Sequence, residues 1–129
     1  MPAQTEPALN GKKVLIIEDE LLLADTLASC LCNAGATVLG PIGRLRPAMD
    51  FLEEAEPDAV ALNLDLHGKS TLPLADLLQA RDIPFVFVSG FDPSEVPVRL
   101  AKAPYLMKPC AGGDVVQALQ KLLDTFAPR

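Results

Sequence analysis

Residues 61–71 read ALNLDLHGKST. With the two residues before them they make the apolar run AVALNL at 59–64, which gives way to a polar turn. A short apolar run that does not alternate with polar residues is the pattern of a strand buried on both faces. Such strands occur in parallel sheets covered by helices, so the rest of the chain should alternate between the two. It does. VLII at 14–17, TVLG at 37–40, FVFV at 85–88 and YLM at 105–107 are further strand runs. Between them, Leu23, Leu27, Cys30, Leu31 and Ala34 recur at helical spacing and Gly35 ends that helix. Leu45, Ala48, Met49 and Leu52 mark a second helix, with Pro47 tolerable near its start. Leu72, Leu74, Ala75, Leu77 and Leu78 support a third, a poor helix follows at 93–102, and Val115, Val116, Leu119, Leu122, Leu123 and Phe126 make the last.

Five successive βα units predict an α/β fold, a flavodoxin-like three-layer α/β/α sandwich. Its five-stranded parallel sheet should have the order 2-1-3-4-5, with five helices and right-handed crossovers. A length of 129 residues suits one domain. Residues 1–11, polar and Pro-containing, are expected to form a flexible tail. A net charge of −6 argues against a nucleic-acid partner, because phosphate neutralisation needs clustered Lys and Arg. No apolar run approaches the roughly 20 residues of a membrane span. The opening MPAQTEPALNGKK has no apolar core of a secretory signal. Three cysteines without such a signal predict free thiols in the cytoplasm. Cys30 and Cys32, two apart on a helix, point to different faces and make a poor metal pair.

In such sheets ligands bind beyond the carboxyl ends of the strands. Those ends hold Glu18-Asp19-Glu20, Asn63-Leu64-Asp65, Ser89-Gly90 and Lys108-Pro109. Adjacent acids at one strand end suit a hard cation such as Mg²⁺, which takes oxygen ligands. A hydroxyl and an ammonium on neighbouring strands suit phosphoryl oxygens. Each feature alone has a plain structural explanation as a helix cap or a turn. Four of them at consecutive strand ends point to a site.

With VLIIEDE, PDAVALNLDL, IPFVFVSGF and APYLMKP in these places, residues 12–125 resemble a response-regulator receiver domain of the chemotaxis-regulator type, which makes 12–129 one receiver domain. The resemblance implies a bacterial two-component or phosphorelay protein. It implies Mg²⁺ held by Glu18, Asp19, the residue at 63 and the backbone of Asp65. It further implies an aspartyl phospho-acceptor at 63, phosphoryl-binding and switch roles for Ser89, Lys108 and Tyr105, and a cis peptide before Pro109. The implied partners are proteins (a histidine kinase, a phosphotransfer protein or an effector), and a homodimer is also open. The family's fourth helix, fifth strand and fifth helix form the surface that partners contact.

The sequence departs from the family at the centre, where the acceptor position is Asn63 and the acid stands two residues on, at Asp65. A carboxamide has no anionic oxygen with which to form an acyl phosphate. Mg²⁺ binding should therefore be weak or absent. Asp65 lies roughly 6.6 Å further along an extended strand, at about 3.3 Å per residue, and would have to bend back to replace it. The favoured function is a single-domain, degenerate receiver that is not an enzyme and acts through protein contact. The alternatives are a working relay that uses Asp65, a chain in which Asn63 replaces a natural aspartate, and a small Mg²⁺-dependent phosphatase. Gly68-Lys69-Ser70 resembles the end of a P-loop, but the first glycine of that motif would fall on Asn63. Asp65-Leu66-His67-Gly68 resembles an aspartyl-phosphatase loop without its second acid, and His67 is expected to face solvent in a turn.

Two helices invite a local expectation. Asp92 can cap a fourth helix with Pro93 in its first turn, but Pro97 removes a hydrogen bond and should leave it short, distorted or mobile. The last helix has Ala111-Gly112-Gly113 where a cap is expected, so it should start late, near Asp114. Cys110 is expected to pack as a small apolar group.

Overall fold

A computed structural model describes residues 7–125. The order is β1 (Lys13–Ile17), α1 (Leu21–Asn33), β2 (Thr37–Ile42), α2 (Leu45–Glu54), β3 (Ala59–Leu62), β4 (Asp65–Leu66), β5 (Lys69–Ser70), α3 (Leu72–Ala80), β6 (Phe85–Ser89), β7 (Tyr105–Met107) and α4 (Gly112–Thr125). The main sheet has the order β2-β1-β3-β6-β7, all parallel, which is the 2-1-3-4-5 order expected for the five principal strands. Register explains the layers. Leu15, Ile17, Val60, Leu62, Phe85 and Phe87 share one apolar cluster with Ala48 and Leu52 of α2 and Leu74 and Leu78 of α3. Val14, Ile16, Ala59, Ala61, Val86 and Val88 share the other with Leu27 and Leu31 of α1 and Val115 and Leu119 of α4. Alternate residues of each strand thus go to opposite faces, and both faces are dry.

Three expectations are corrected among the described residues. The first concerns the tail, which is anchored from Pro7 onward. Leu9 is fully buried, its N–H donates to the Ala34 carbonyl (2.8 Å), and the Gly11 N–H donates to Gly35 O (3.1 Å). Gly35 permits this: its φ is +95°, and a Cβ there would meet Pro7 Cβ at 2.8 Å. Residues 1–6 of that tail, and Phe126, lie outside the described residues.

The second concerns residues 93–102, so that four α-helices flank the sheet instead of five. Pro93–Glu95 and Val98–Leu100 are single 3₁₀ turns. Asp92 does cap the first, accepting from the Ser94 N–H (2.8 Å). Pro97 has no N–H to continue the ladder, so Val96 N–H bonds Pro93 O (3.0 Å) and the helix stops. The second turn is tethered. Leu100 is buried, Arg99 makes a two-point ion pair with Asp76 of α3 (2.8 and 3.0 Å), and Gln79 donates to the Arg99 carbonyl (2.8 Å).

The third concerns α4, which begins at Gly112, not near Asp114. The cap comes from inside the helix, where Asp114 Oδ2 accepts the Ala111 N–H (3.3 Å) as the acidic half of a capping box. Gly112 also lets α4 approach α1, since a Cβ there would lie 2.2 Å from Cys30 Sγ and 3.0 Å from its Cβ. Gly112→Ala should therefore destabilise by about 1–3 kcal/mol through overpacking, against the usual helix gain from alanine. Chemical denaturation of Gly112→Ala, Cys30→Ala and the double variant checks this. The double variant should recover much of the loss, and purely additive effects would place the cost elsewhere.

The opening stretch itself adds an element for which the sequence raised no expectation. Residues 65–70 leave the sheet and form a small antiparallel hairpin, β4-β5, with Asp65 opposite Ser70. His67 (φ +51°) and Gly68 (φ +84°) occupy its two-residue turn, as a type I′ turn requires. Lys69–Ser70 of the Gly-Lys-Ser run is thus the hairpin's return strand, with Gly68 in the turn.

Candidate functional site

Strand ends β1, β3, β6 and β7 bring the expected residues together. Asp19, Glu20, Asn63, Asp65, Phe91 and Lys108 line a cleft of about 390 Å³. Asn63 sits just past β3 and is 7% exposed. Its carboxamide nitrogen donates to Glu18 Oε2 (3.1 Å) and Asp19 Oδ1 (3.3 Å). The opposite orientation would turn its oxygen toward two carboxylates, which fixes the assignment. Buried Thr71 holds the strand end in place, donating to the carbonyls of Asn63 (2.6 Å) and Leu64 (2.9 Å).

Lys108 points to the acids. Its Nζ lies 3.1 Å from Glu18 Oε1 and 3.2 Å from Oε2, and it donates to Glu20 Oε1. Glu18 is 3% exposed, and burial pushes its carboxyl above the ordinary value despite the Glu20 N–H and the Lys108 ammonium. Burial pushes Lys108 down, but Glu20 and Glu18 outweigh it and hold the ammonium above its usual range. Burial likewise pushes Asp19 up, and the His67 N–H on Oδ2 (2.9 Å), with other hydrogen bonds, more than reverses it.

Ser89 is fully buried at the end of β6, and its hydroxyl accepts the Phe91 N–H (3.1 Å). Tyr105 is half-buried, its ring 5.7 Å from that of Phe87, and its hydroxyl donates to the Phe91 carbonyl (2.6 Å). The Phe91 backbone thus links Ser89 to Tyr105. The Lys108–Pro109 peptide is cis, and so is Gly40–Pro41, for which the sequence raised no expectation. Asp65 reaches the cleft, but its Oδ2 accepts the Gly68 N–H (3.0 Å) inside the hairpin. The His67 side chain is exposed, while its backbone serves Asp19. Cys110 is half-buried against the α1/α4 cluster, and burial pushes its thiol up.

The donor set does not fit Mg²⁺. A hard cation needs oxygen ligands that face it. Here residue 63 presents an NH₂ group to both acids, and Glu18 already faces an ammonium. Among the described residues, no group of three or more His, Cys, Asp or Glu is placed to hold a metal ion. The sequence missed Glu20 as a partner of Lys108, and Thr71 and Phe91 as fixed points. Glu20 had a signal as the third acid of the run, whereas Phe91 contributes only backbone atoms and left none.

A five-stranded parallel sheet of this order, with an acid pair, a buried hydroxyl and a Lys-cis-Pro at its carboxyl edge, defines the receiver class, and the chain belongs to the receiver-domain family of response regulators in two-component signalling. It is 37% identical to SdrG from Sphingomonas melonis Fr1, covering 90% of this chain and 98% of that one, with a TM-score of 0.75. The receiver domain of the sensor histidine kinase PA1611 from Pseudomonas aeruginosa, solved with magnesium in its active-site cleft, has the same fold (TM-score 0.77, 18% identity, 89% and 99% covered). Among curated proteins, the transcriptional regulatory protein PdtaR of Mycobacterium tuberculosis is 26% identical over 97% of this chain, which spans 63% of that protein. No family model matches the chain.

Proposed function

We propose that this chain is a degenerate receiver: it takes no phosphoryl group at residue 63, turns over no substrate and signals by binding a partner protein in the cytoplasm. The observation that carries this is the buried Asn63 carboxamide, bonded through its nitrogen to Glu18 and Asp19. It offers no nucleophilic oxygen, and it occupies the acids that a metal-dependent acceptor would need. Lys108 is likewise given over to Glu18 and Glu20. Three large apolar side chains are exposed on or beside the segments that the family resemblance assigns to partner contact: Phe91 (50%), Val98 (91%) and Met107 (48%). No helix among the described residues is long and apolar enough to cross a membrane.

The test is mass spectrometry after incubation with acetyl phosphate and Mg²⁺. The unaltered chain should gain no phosphoryl group, and Asn63→Asp should gain one at residue 63. Phosphorylation of the unaltered chain, mapped to Asp65, would replace this reading with that of a relocated acceptor.

A further inference from the structure

Several acceptors in the acid cleft lack a donor. Three carboxylates, Asp19, Glu20 and Asp65, line its 390 Å³ against one ammonium, that of Lys108. Lys108 is committed to Glu18 and Glu20. Glu20 Oε2 and Asp65 Oδ1 have no partner among the described residues. Asn63, 7% exposed, also lines the cleft, with its Nδ2 given to Glu18 and Asp19. Its Oδ1 has only a 3.5 Å contact from the Asp65 N–H, at the outer limit of a hydrogen bond. A buried amide oxygen thus keeps open acceptor capacity beside the carboxylates. These acceptors are fixed in advance: the His67 N–H holds Asp19, the Gly68 N–H holds Asp65, and Thr71 holds the Asn63 carbonyl. The rim is apolar. Phe91 (50% exposed) lines the cleft, Leu21 (78%) and Leu22 (85%) follow Glu20, and Met107 (48%) precedes Lys108.

We infer that this cleft takes the guanidinium of an arginine presented by an apolar segment of a partner protein. The inference gives the degenerate receiver proposed above the chemistry of its partner, and it rests on that proposal. A guanidinium carries a positive charge and a planar fork of N–H donors. It can donate to Asp65 and to Asn63 Oδ1, offset the excess of acids, and stack on the exposed Phe91 ring. A hard cation does not satisfy the same set, because Asn63 turns its NH₂ group to Glu18 and Asp19. Leu21, Leu22 and Met107 are then covered by the apolar residues that flank the arginine. A free basic metabolite would leave those three side chains in water, which favours a protein segment as the occupant.

The experiment is titration in EDTA, followed by amide chemical shifts, with a capped helical peptide of alanine, glutamine and leucine that carries one central arginine. Its citrulline counterpart, which keeps the shape without the charge, and Nα-acetylarginine amide are the comparisons. The arginine peptide should shift the amides of residues 19–22, 63–65 and 91 and the Asn63 side-chain NH₂, with a Kd of about 1 mM or tighter. The citrulline peptide should bind roughly tenfold or more weakly, and so should the arginine peptide to Asp65→Asn. Leu22→Ser should weaken the peptide about threefold or more and leave acetylarginine amide unchanged. Glu53→Gln, exposed on α2, should change neither. Equal binding of the citrulline peptide, acetylarginine amide binding as tightly as the peptide, no effect of Asp65→Asn, equal loss with Glu53→Gln, or no shift at these amides would each overturn the inference. Acetyl phosphate separates it from the parent proposal: a chain that stays unphosphorylated but fails these titrations loses only the arginine site, whereas phosphorylation of the unaltered chain at Asp65 removes both.

Discussion

Asn63→Asp, kept free of divalent cations, is expected to melt on the order of 10 °C below the unaltered chain. The substitution removes two hydrogen bonds to charged acceptors, each worth about 1.5–3 kcal/mol. It also sets a third carboxylate against Glu18 and Asp19, where burial already disfavours ionised Glu18. The combined loss is on the order of 3 kcal/mol or more. Adding Mg²⁺ should restore most of it, because the three oxygen donors then have a cation to face. The unaltered chain should shift by no more than about 1 °C under the same addition. Differential scanning calorimetry of both proteins in EDTA and in Mg²⁺ decides the matter. If the two melt together in EDTA, the carboxamide bonds contribute nothing, and the metal-free reading of the cleft loses its physical basis.

Leu9→Ala is expected to cost about 2–5 kcal/mol, the range for truncating a large side chain in a packed core. Leu9 is 0% exposed and shares a cluster with Val14, Leu27 and Leu31. The segment that carries it is held to the end of α1 by backbone bonds to Ala34 and Gly35, so the site cannot collapse without moving both. Urea unfolding reads the loss. A change below about 0.5 kcal/mol, as at an exposed site, would mean that residues 7–11 detach in solution.

What was legible in the sequence follows from periodicity. The five buried runs fixed the strands, and their order followed from crossover handedness. The strand-end rule located Glu18, Asp19, Asn63, Ser89 and Lys108, and the fold carries them to one edge. The misses share a cause, which is that partners distant in sequence decided them. Leu9 reads as a lone apolar residue in a polar tail until α1 ends beside it. Ala111-Gly112-Gly113 looks like a poor helix start by propensity, but Asp114 supplies the cap and Cys30 leaves no room for a larger residue at 112. Pro97 was legible as a breaker. The ion pair that ties Arg99 to Asp76 was not, because residues 23 apart must first be folded together. The hairpin at 65–70 hid behind a motif-like Gly-Lys-Ser, although His67-Gly68 is an acceptable two-residue turn.

The carboxamide at the head of β3 has a consequence for timing. On the proposed reading, a side chain with one chemical state keeps no record of a past event: nothing is added by a donor, and nothing decays by hydrolysis. A receiver that works in this proposed way has no internal clock. Its occupancy of a partner follows concentration against Kd, rising and falling with the number of copies present. Synthesis and degradation then set the pace of the response, over the lifetime of the molecule and not that of a bond.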